Sequence, residues 1–467
     1  MQPNETCEFT IDDLGMNGEG IAHKEGATVF ISYALKGERV RAKLTYLRKG
    51  IGYAELKEVV EASPDRVTPP CNRFTRCGGC TLMHCAYPAQ LDAKRAALAA
   101  VMKKNAGYTG EILPVVPSEP YFGYRNKVQL PFGEVNGEVA VGFYREGTRK
   151  IVSVTKCFLH GEWLTRLISV ALRFARENGL SAYSQETKRG LLRHLVARMT
   201  GGKLCVTVVI NGRSLSHAEK LKEMLAAEFK EFALYLSPNT KDTGVVMGEE
   251  LIPVYAPPLV SEVNGVKLEV NPFSFFQIND DIREKVYAEI ARLAGGKDSV
   301  FVDAYAGIGL TGAAIAKAGG EVYNIEIVPE AVRDADKLYS ANGLSERVHN
   351  VCGDANEELK KLIPALKKAA SESRNVVVYI DPPRKGISSE TASTLNALAG
   401  EVPYRLIYLS CNPATLSRDI ALLTAFEVRS VRPFDMFPHS GHLESLVLMS
   451  RRFRNASDSD NKVESKV

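Results

Sequence analysis

From about residue 264 the chain is written as short apolar runs alternating with helical patterns: SVFVDAYAG, TGAAIAKAG, EVYNIEI, PEAVRDADKLYSANG, RVHNVCGDA, a helical stretch, NVVVYIDPPRK, another helical stretch and YRLIYLSCNP. Runs so uniformly apolar belong to strands buried on both faces, and strands separated by helix-length segments pair in parallel. The order predicts an α/β fold over residues 263–452, a doubly wound, Rossmann-like sheet. Sheets of this kind bind ligands at the carboxyl ends of their strands. The residues leaving those strands are therefore the candidates for chemistry.

DAYAGIGLTG follows the first of these strands and opens a helix, so Gly307, Gly309 and Gly312 can form a tight turn that lets an adenosine-bearing cofactor lie against backbone. Glu326 ends the next strand, where a carboxylate can accept hydrogen bonds from both ribose hydroxyls, and Asp354 closes the third in GDA. NAD and S-adenosylmethionine both suit such a site. Asp381, in YIDPPRKG after the fourth strand, points in part toward methyl transfer. An acid followed by two prolines makes a stiff loop above the cofactor, as in methyltransferases acting on planar nitrogen or carbon. Arg384 and Lys385 follow where amine-methylating enzymes usually carry an aromatic residue, which disfavours an exocyclic amine as acceptor.

Cys411 sits in YLSCNPATL, directly after the strand YRLIYLS. An isolated buried cysteine is usually inert core, but one leaving a strand at the ligand edge can reach bound substrate. Carbon 5 of uracil is too electron-poor to attack a methyl sulfonium; adding a thiolate at carbon 6 makes an enolate whose carbon 5 is nucleophilic. The proton left on carbon 5 must then be removed by a positioned base before the sulfur departs. Glu444, in FPHSGHLES, is the candidate base, preferred over His439 and His442, which can orient that carboxylate or serve structure.

The 467 residues suffice for about three domains. With 45% hydrophobic and 24% charged residues the chain is globular, and a net charge of +4 argues nothing about nucleic acid by itself. No apolar run reaches the ~18 residues of a membrane span, and MQPNETCEFT lacks a signal-peptide pattern, so the cytoplasm is the expected compartment. Residues 8–61 alternate apolar and polar positions between glycine turns, which predicts a small antiparallel β-barrel over residues 1–62. Its stretch from Lys36 to Lys49 carries Lys36, Arg39, Arg41, Lys43, Arg48 and Lys49 against Glu38 alone, beside Tyr33 and Tyr46, a surface suited to nucleic acid. Residues 63–262 read as an α+β domain with a second basic cluster, Lys188, Arg189, Arg193, Arg198 and Lys203, and the run Arg125, Asn126, Lys127, all candidates for phosphate contact. Residues 453–467 read as a disordered tail.

Nine cysteines in a reducing compartment point to ligands, nucleophiles or buried residues rather than disulfides. Cys71, Cys77 and Cys80 place three thiols on one loop, with two glycines that let the chain wrap a cluster; Cys157 and Cys85 compete as fourth ligand. Spacing leaves iron–sulfur and zinc equally open.

DPPRKG, SCNPATLSRD and FPHSGHLE together resemble the signature of the S-adenosylmethionine-dependent RNA uracil-5-methyltransferase family, specifically its iron–sulfur branch acting on 23S ribosomal RNA, over about residues 8 to 450. The resemblance implies a TRAM domain, an OB-like RNA binder, in the barrel, and a [4Fe-4S] cluster on Cys71, Cys77, Cys80 and Cys157. It implies S-adenosylmethionine contacts at Gln277 (in NPFSFFQ), Tyr305, Glu326, Asp354 and Asp381, with Cys411 as nucleophile and Glu444 as base. Ala306 stands where relatives commonly carry cysteine, a small apolar exchange the loop tolerates. The tRNA-specific bacterial branch lacks barrel and cysteine loop, so 23S rRNA is the expected partner, with no obligate protein partner and a monomeric state. Competing expectations are a non-catalytic RNA-binding or chaperone protein with a vestigial cofactor site, a tRNA uracil-5-methyltransferase, and a cysteine-dependent cytosine methyltransferase.

Overall fold

The computed structural model describes residues 1–273 and 276–452; the expected tail at 453–467 lies outside them. The chain divides into two compact units, one made of Met1–Leu98, Pro114–Lys285 and Phe434–Leu443, the other of Ala99–Leu113, Val286–Pro433 and the chain from Glu444 onward. Among the described residues no helix is long and apolar enough to cross a membrane.

The first unit begins with a six-stranded sheet: β1 (Thr6–Thr10), β2 (Asp13–Leu14), β3 (Gly20–Lys24), β4 (Ala27–Ser32), β5 (Arg39–Arg48) and β6 (Ile51–Glu61), in the order β1-β5-β6-β4-β3-β2. β1 pairs with β5 at one edge and, two residues on, β2 pairs with β3 at the other, so a single run of chain closes the sheet at both sides. The period-two pattern is obeyed: Val29, Ile31, Val40, Ala42, Leu44 and Ala54 point inward with Phe9 and Ile11. Outside, the charge differs from the sequence reading. Arg39 pairs with Glu8 and Glu61, Arg41 with Glu8 and Glu58, and Glu38 is buried against Arg66, so much of the apparent basic stretch is neutralised by other strands. Tyr33 leaves the sheet with φ of 67° and packs on Phe74 and His84 instead of joining Tyr46.

After helix α1 (Tyr87–Ala106) comes a seven-stranded sheet of β7 (Lys127–Val135), β8 (Glu138–Tyr144), β9 (Ile151–Ser153), β10 (Leu192–Thr200), β11 (Lys203–Ile210), β12 (Phe232–Pro238) and β13 (Ile252–Tyr255), ordered β13-β12-β11-β10-β7-β8-β9. Helices α2 (Glu162–Glu177) and α3 (Ala218–Ala226) bury Leu164, Leu167, Ile168, Ala171, Phe174, Leu221 and Leu225 in its core, the three- and four-residue spacing of one helix face. A separate hairpin, β14 (Val260–Val263) and β15 (Val266–Glu269), turns through Asn264 and Gly265, both at positive φ, the Asn-Gly pair a tight hairpin favours.

Most of the second basic cluster is engaged within the unit, Arg189 alone staying exposed without an ion pair among the described residues. Arg193 and Arg198 are buried, Lys188 pairs with Asp242, and Lys203 with Glu231. Asn126 is buried as well, and works as a joint: its backbone N–H donates to Ile278 O, its amide donates to Gln277 O and to Asp280, and its Oδ1 accepts from Arg198. Composition could not show that these cations are consumed inside the unit.

The second unit follows helix α4 (Asp280–Ala294) with β16 (Ser299–Asp303), α5 (Leu310–Lys317), β17 (Glu321–Glu326), α6 (Pro329–Ala341), β18 (Val348–Cys352), α7 (Ala355–Ser371), β19 (Asn375–Ile380), α8 (Ser389–Glu401), β20 (Arg405–Ser410), α9 (Pro413–Leu422), β21 (Phe426–Phe434) and β22 (Glu444–Arg451). The sheet order is β18-β17-β16-β19-β20-β22-β21, with the first five strands parallel and β22 antiparallel to β20. β16, β19 and β20 are buried almost throughout, as the apolar runs predict.

Candidate active site

The carboxyl edge of this sheet gathers acids at consecutive strand ends: Asp303 on β16, Glu326 on β17 and Asp381 just past β19. Cys411 leaves β20 at the same edge. In the antiparallel pairing of β20 with β22, Ser410 lies opposite Ser445, so the next positions outward are Cys411 on one strand and Glu444 on the other. The nucleophile and base candidates, distant in sequence, thus meet through sheet register.

Their environment is acidic, with Cys411 half-buried and Glu444 buried. Glu444 is 3% exposed, and burial together with the charge of Asp381 pushes its carboxyl up to about 8, against the pull of Arg384. Burial also raises Asp381 to about 7, and raises Asp303 to about 8 with help from Asp381 and Glu326. The Cys411 thiol is pushed up to about 11 by burial, Glu444 and Asp381, with Arg384 opposing. Arg384 is thus the cation that both reacting groups feel. Its loop is strapped to α9: Arg384 O accepts from Asn412 and Thr415, Ile387 N–H donates to the buried Asp419, and Arg418 donates to Lys385 O. Gly386 abuts Asp419, where a Cβ would come within 2.2 Å of the carboxylate, so the DPPRKG turn requires glycine there.

The glycine loop is held from beneath. Gly307 N–H donates to Glu326 Oε2 at 2.9 Å, and Val328 N–H donates to Oε1 at 2.9 Å, fixing the carboxylate while leaving each oxygen a further lone pair. Tyr339, buried on α6, donates to Gly309 O at 2.6 Å and accepts from Asn324 at 2.7 Å. A Cβ on Gly312 would lie 2.7 Å from both Asn324 Oδ1 and Tyr339 Oη, so the third glycine is demanded by this pair. Tyr305 is half-buried, its N–H bound to Asp303 Oδ1. Asp354 is exposed and caps α7, accepting from Asn356 N–H at 2.8 Å. Gln277 lies in the first unit, where Asn126 fixes its carbonyl. His439 and His442 also belong to that unit. His439 stacks on Phe122 at 4.3 Å, its ring and backbone are bonded to Gln90, and burial lowers it to about 4.

Within the first unit, Cys71, Cys77, Cys80 and Cys157 line one cavity with Arg125, Met83 and Phe158; its atom-free space, including the open mouth, is ≈ 510 Å³. Cys85 is buried outside that lining. Burial raises Cys77, Cys80 and Cys157, the last to about 11, and Cys71 adds to all three shifts. Among the described residues no group of three or more His, Cys, Asp or Glu is drawn together as a metal site.

The tRNA (uracil-5-)-methyltransferase family model matches residues 86–452, more than half of the chain. The chain belongs to that family. A TRAM domain matches residues 2–57, over the closed six-stranded sheet. The methyltransferase is 36% identical over 463 residues to an uncharacterized RNA methyltransferase of Clostridium acetobutylicum, covering 97% of this chain and 98% of that one. It is 35% identical over 456 residues to another of Halalkalibacterium halodurans, covering 96% and 97%. The fold matches the crystal structure of Pyrococcus abyssi tRNA (uracil-54, C5)-methyltransferase in complex with S-adenosyl-L-homocysteine, with a TM-score of 0.76, 24% identity, and coverage of 95% of this chain and 99% of that one. Membership makes the protein an S-adenosylmethionine-dependent RNA methyltransferase rather than a non-catalytic binder. Three residues of the methyltransferase's site do not stand out in its sequence: Asp303, directly before the glycine loop, and Tyr339 and Asn324 beneath it. An acid closing the strand before a glycine turn is the available signal for the first; nothing local marks the other two.

Proposed function

We propose that the protein forms 5-methyluridine in RNA, with Cys411 as nucleophile and Glu444 as base. The observation that carries this reading is the β20–β22 register, whose last pair, Ser410 with Ser445, leaves Cys411 and Glu444 as the next positions at the ligand edge. Tyr305, Glu326, Asp354, Asp381 and Gln277 would hold S-adenosylmethionine. The glycine turn, the oriented Glu326 and the acids at the strand ends fit an adenosine-bearing sulfonium, whose charge such carboxylates favour. That molecule supplies an electrophilic methyl group.

The chain's own residues do the rest. The Cys411 thiol gives its proton to solvent beside Arg384, its sulfur bonds to carbon 6 of uracil, and the electron pair of the 5,6 double bond shifts to make carbon 5 nucleophilic. After carbon 5 has gained its methyl group, ionised Glu444 takes the remaining proton, the ring double bond reforms, and the carbon–sulfur bond breaks to return the thiolate. An enzyme acting on a ring carbon needs the base unstacked, so the target uridine is expected in a loop or flipped out of its helix.

Four thiols lining one cavity, with buried Arg125 to offset thiolate charge, support the reading that Cys71, Cys77, Cys80 and Cys157 hold a [4Fe-4S] cluster. Held by those four thiols, such a cluster would tie the Cys71–Cys80 loop to Cys157. The sequence resemblance favours 23S rRNA as substrate. A second reading, tRNA, is supported by the archaeal tRNA enzyme, whose match over 95% of this chain takes in most of the barrel. Incubation with labelled S-adenosylmethionine and either 23S rRNA fragments or tRNA transcripts, followed by mapping of the product nucleoside, tests both. Label as 5-methyluridine in the 23S fragments supports the first reading, label in tRNA the second, and label on another base or none refutes the proposal.

A further inference from the structure

The closed sheet of the first unit carries a feature that charge counting hides. Across its outer face one row of residues stands in register over four strands: Tyr46 on β5 opposite Tyr53 on β6, Tyr53 opposite Phe30 on β4, and Phe30 opposite Ile21 on β3. The rings touch as a ladder, Phe30 and Tyr53 stacked with centroids 5.6 Å apart, Tyr46 and Tyr53 at 6.1 Å. Tyr46 is 46% exposed and Tyr53 50%, although a barrel of this size has an inner core in which to place aromatic side chains. The adjoining row ends in Arg48 opposite Ile51, itself 49% exposed, and the turn beyond holds Lys49. Arg48 and Lys49 have no ion-pair partner among the described residues, whereas Arg39 and Arg41, farther along the same strand, are each matched by glutamates. The unmatched pair thus sits at the aromatic end.

We propose that this ladder is a stacking platform for a single-stranded stretch of the RNA substrate, with Arg48 and Lys49 on its phosphates. The proposal rests on RNA being the substrate and adds which face of the barrel meets it and in what form. Exposed rings offer their faces to unstacked bases of any identity, while bases inside an A-form helix are already stacked and hidden; unmatched cations at one end of the row give the backbone its counter-charge. The glutamate-matched end, with Glu8, Glu58 and Glu61, would repel a phosphate chain and marks the limit of the footprint.

The test is fluorescence anisotropy with the full chain, a labelled 12-nucleotide oligouridylate, and its duplex with oligoadenylate. Tyr46→Ala and Tyr53→Ala are each expected to weaken single-strand binding about 5- to 100-fold, the range for loss of one base–aromatic stack, with Tyr53→Phe within about twofold of the parent. The joint change Arg48→Ala and Lys49→Ala should flatten the dependence of log affinity on log salt by about 0.7 for each phosphate no longer neutralised. Arg41→Ala, at the neutralised end, should leave that slope unchanged. Unaltered affinity of both tyrosine variants, with unaltered melting, overturns the proposal. So does equal weakening of single strand and duplex, or a fall in sedimenting mass without RNA, which would make the ladder a contact between copies of the chain. Because binding is read without methylation, failure of the catalytic reading shows separately, as missing 5-methyluridine with ladder-dependent binding intact.

Discussion

Replacing Glu444 by glutamine tests the assignment of the base through both rate and pH. The wild-type carboxyl, held up to about 8 by burial and Asp381, must be ionised to take the proton from carbon 5. At pH 6 about one molecule in a hundred then carries the required charge, so release of product from an already methylated adduct, a step that no longer needs the Cys411 thiol to ionise, should rise about a hundredfold between pH 6 and its plateau near pH 9. An ordinary exposed glutamate would give a flat profile over that range. Glu444→Gln keeps the shape and removes the base, so turnover should fall about 10²- to 10⁴-fold. The inflection near pH 8 should vanish, and a protein–RNA adduct already methylated on carbon 5 should accumulate, visible as a species that survives denaturing electrophoresis. A variant retaining the inflection, or one that turns over at the parental rate, would refute the argument.

Asp303, Asp381 and Glu444 are all raised in the folded chain, so the stability they lend through protonation is present at low pH and lost as pH rises through about 7 to 8. Melting of the second unit should therefore fall between pH 6 and pH 9, and Asp303→Asn should flatten that decline. Tyr339→Phe removes the hydrogen bond to Gly309 O and is expected to weaken S-adenosylmethionine binding about 3- to 10-fold by titration calorimetry, from a net bond worth about 1 kcal/mol. Asn126→Ala strips buried Arg198 of one acceptor and frees Gln277 O, with an expected cost of about 1–3 kcal/mol in denaturant unfolding. Cys157→Ser should lower bound iron and visible absorbance of the purified protein, and Cys85→Ser should not.

The sheet was readable because its strands are buried on both faces and so carry uninterrupted apolar runs, and its edge was readable because strand ends are where those runs stop: Glu326, Asp381 and Cys411 are all found that way. Glu444 needed chemistry, since its place at the same edge as Cys411 arises from an antiparallel strand that the parallel pattern does not announce. That Cys157 and not Cys85 lines the cavity of Cys71, Cys77 and Cys80 lay beyond spacing, because it depends on how a distant segment folds against that loop. Charge was the least legible property. Arg39, Arg41, Arg193 and Arg198 look alike in sequence to Arg48, yet their partners come from strands and loops far along the chain. Tyr33 fails as a surface residue for the same reason, because Phe74 and His84 cover it.

The most direct measurement is mass spectrometry of the protein after incubation with S-adenosylmethionine and substrate RNA bearing 5-fluorouridine, in which fluorine replaces the hydrogen the base must remove. The account expects a stable conjugate attached at Cys411, carrying one added methyl group, and absent from Cys411→Ala. A conjugate at another residue, or methylation of ordinary RNA by Cys411→Ala, would contradict it.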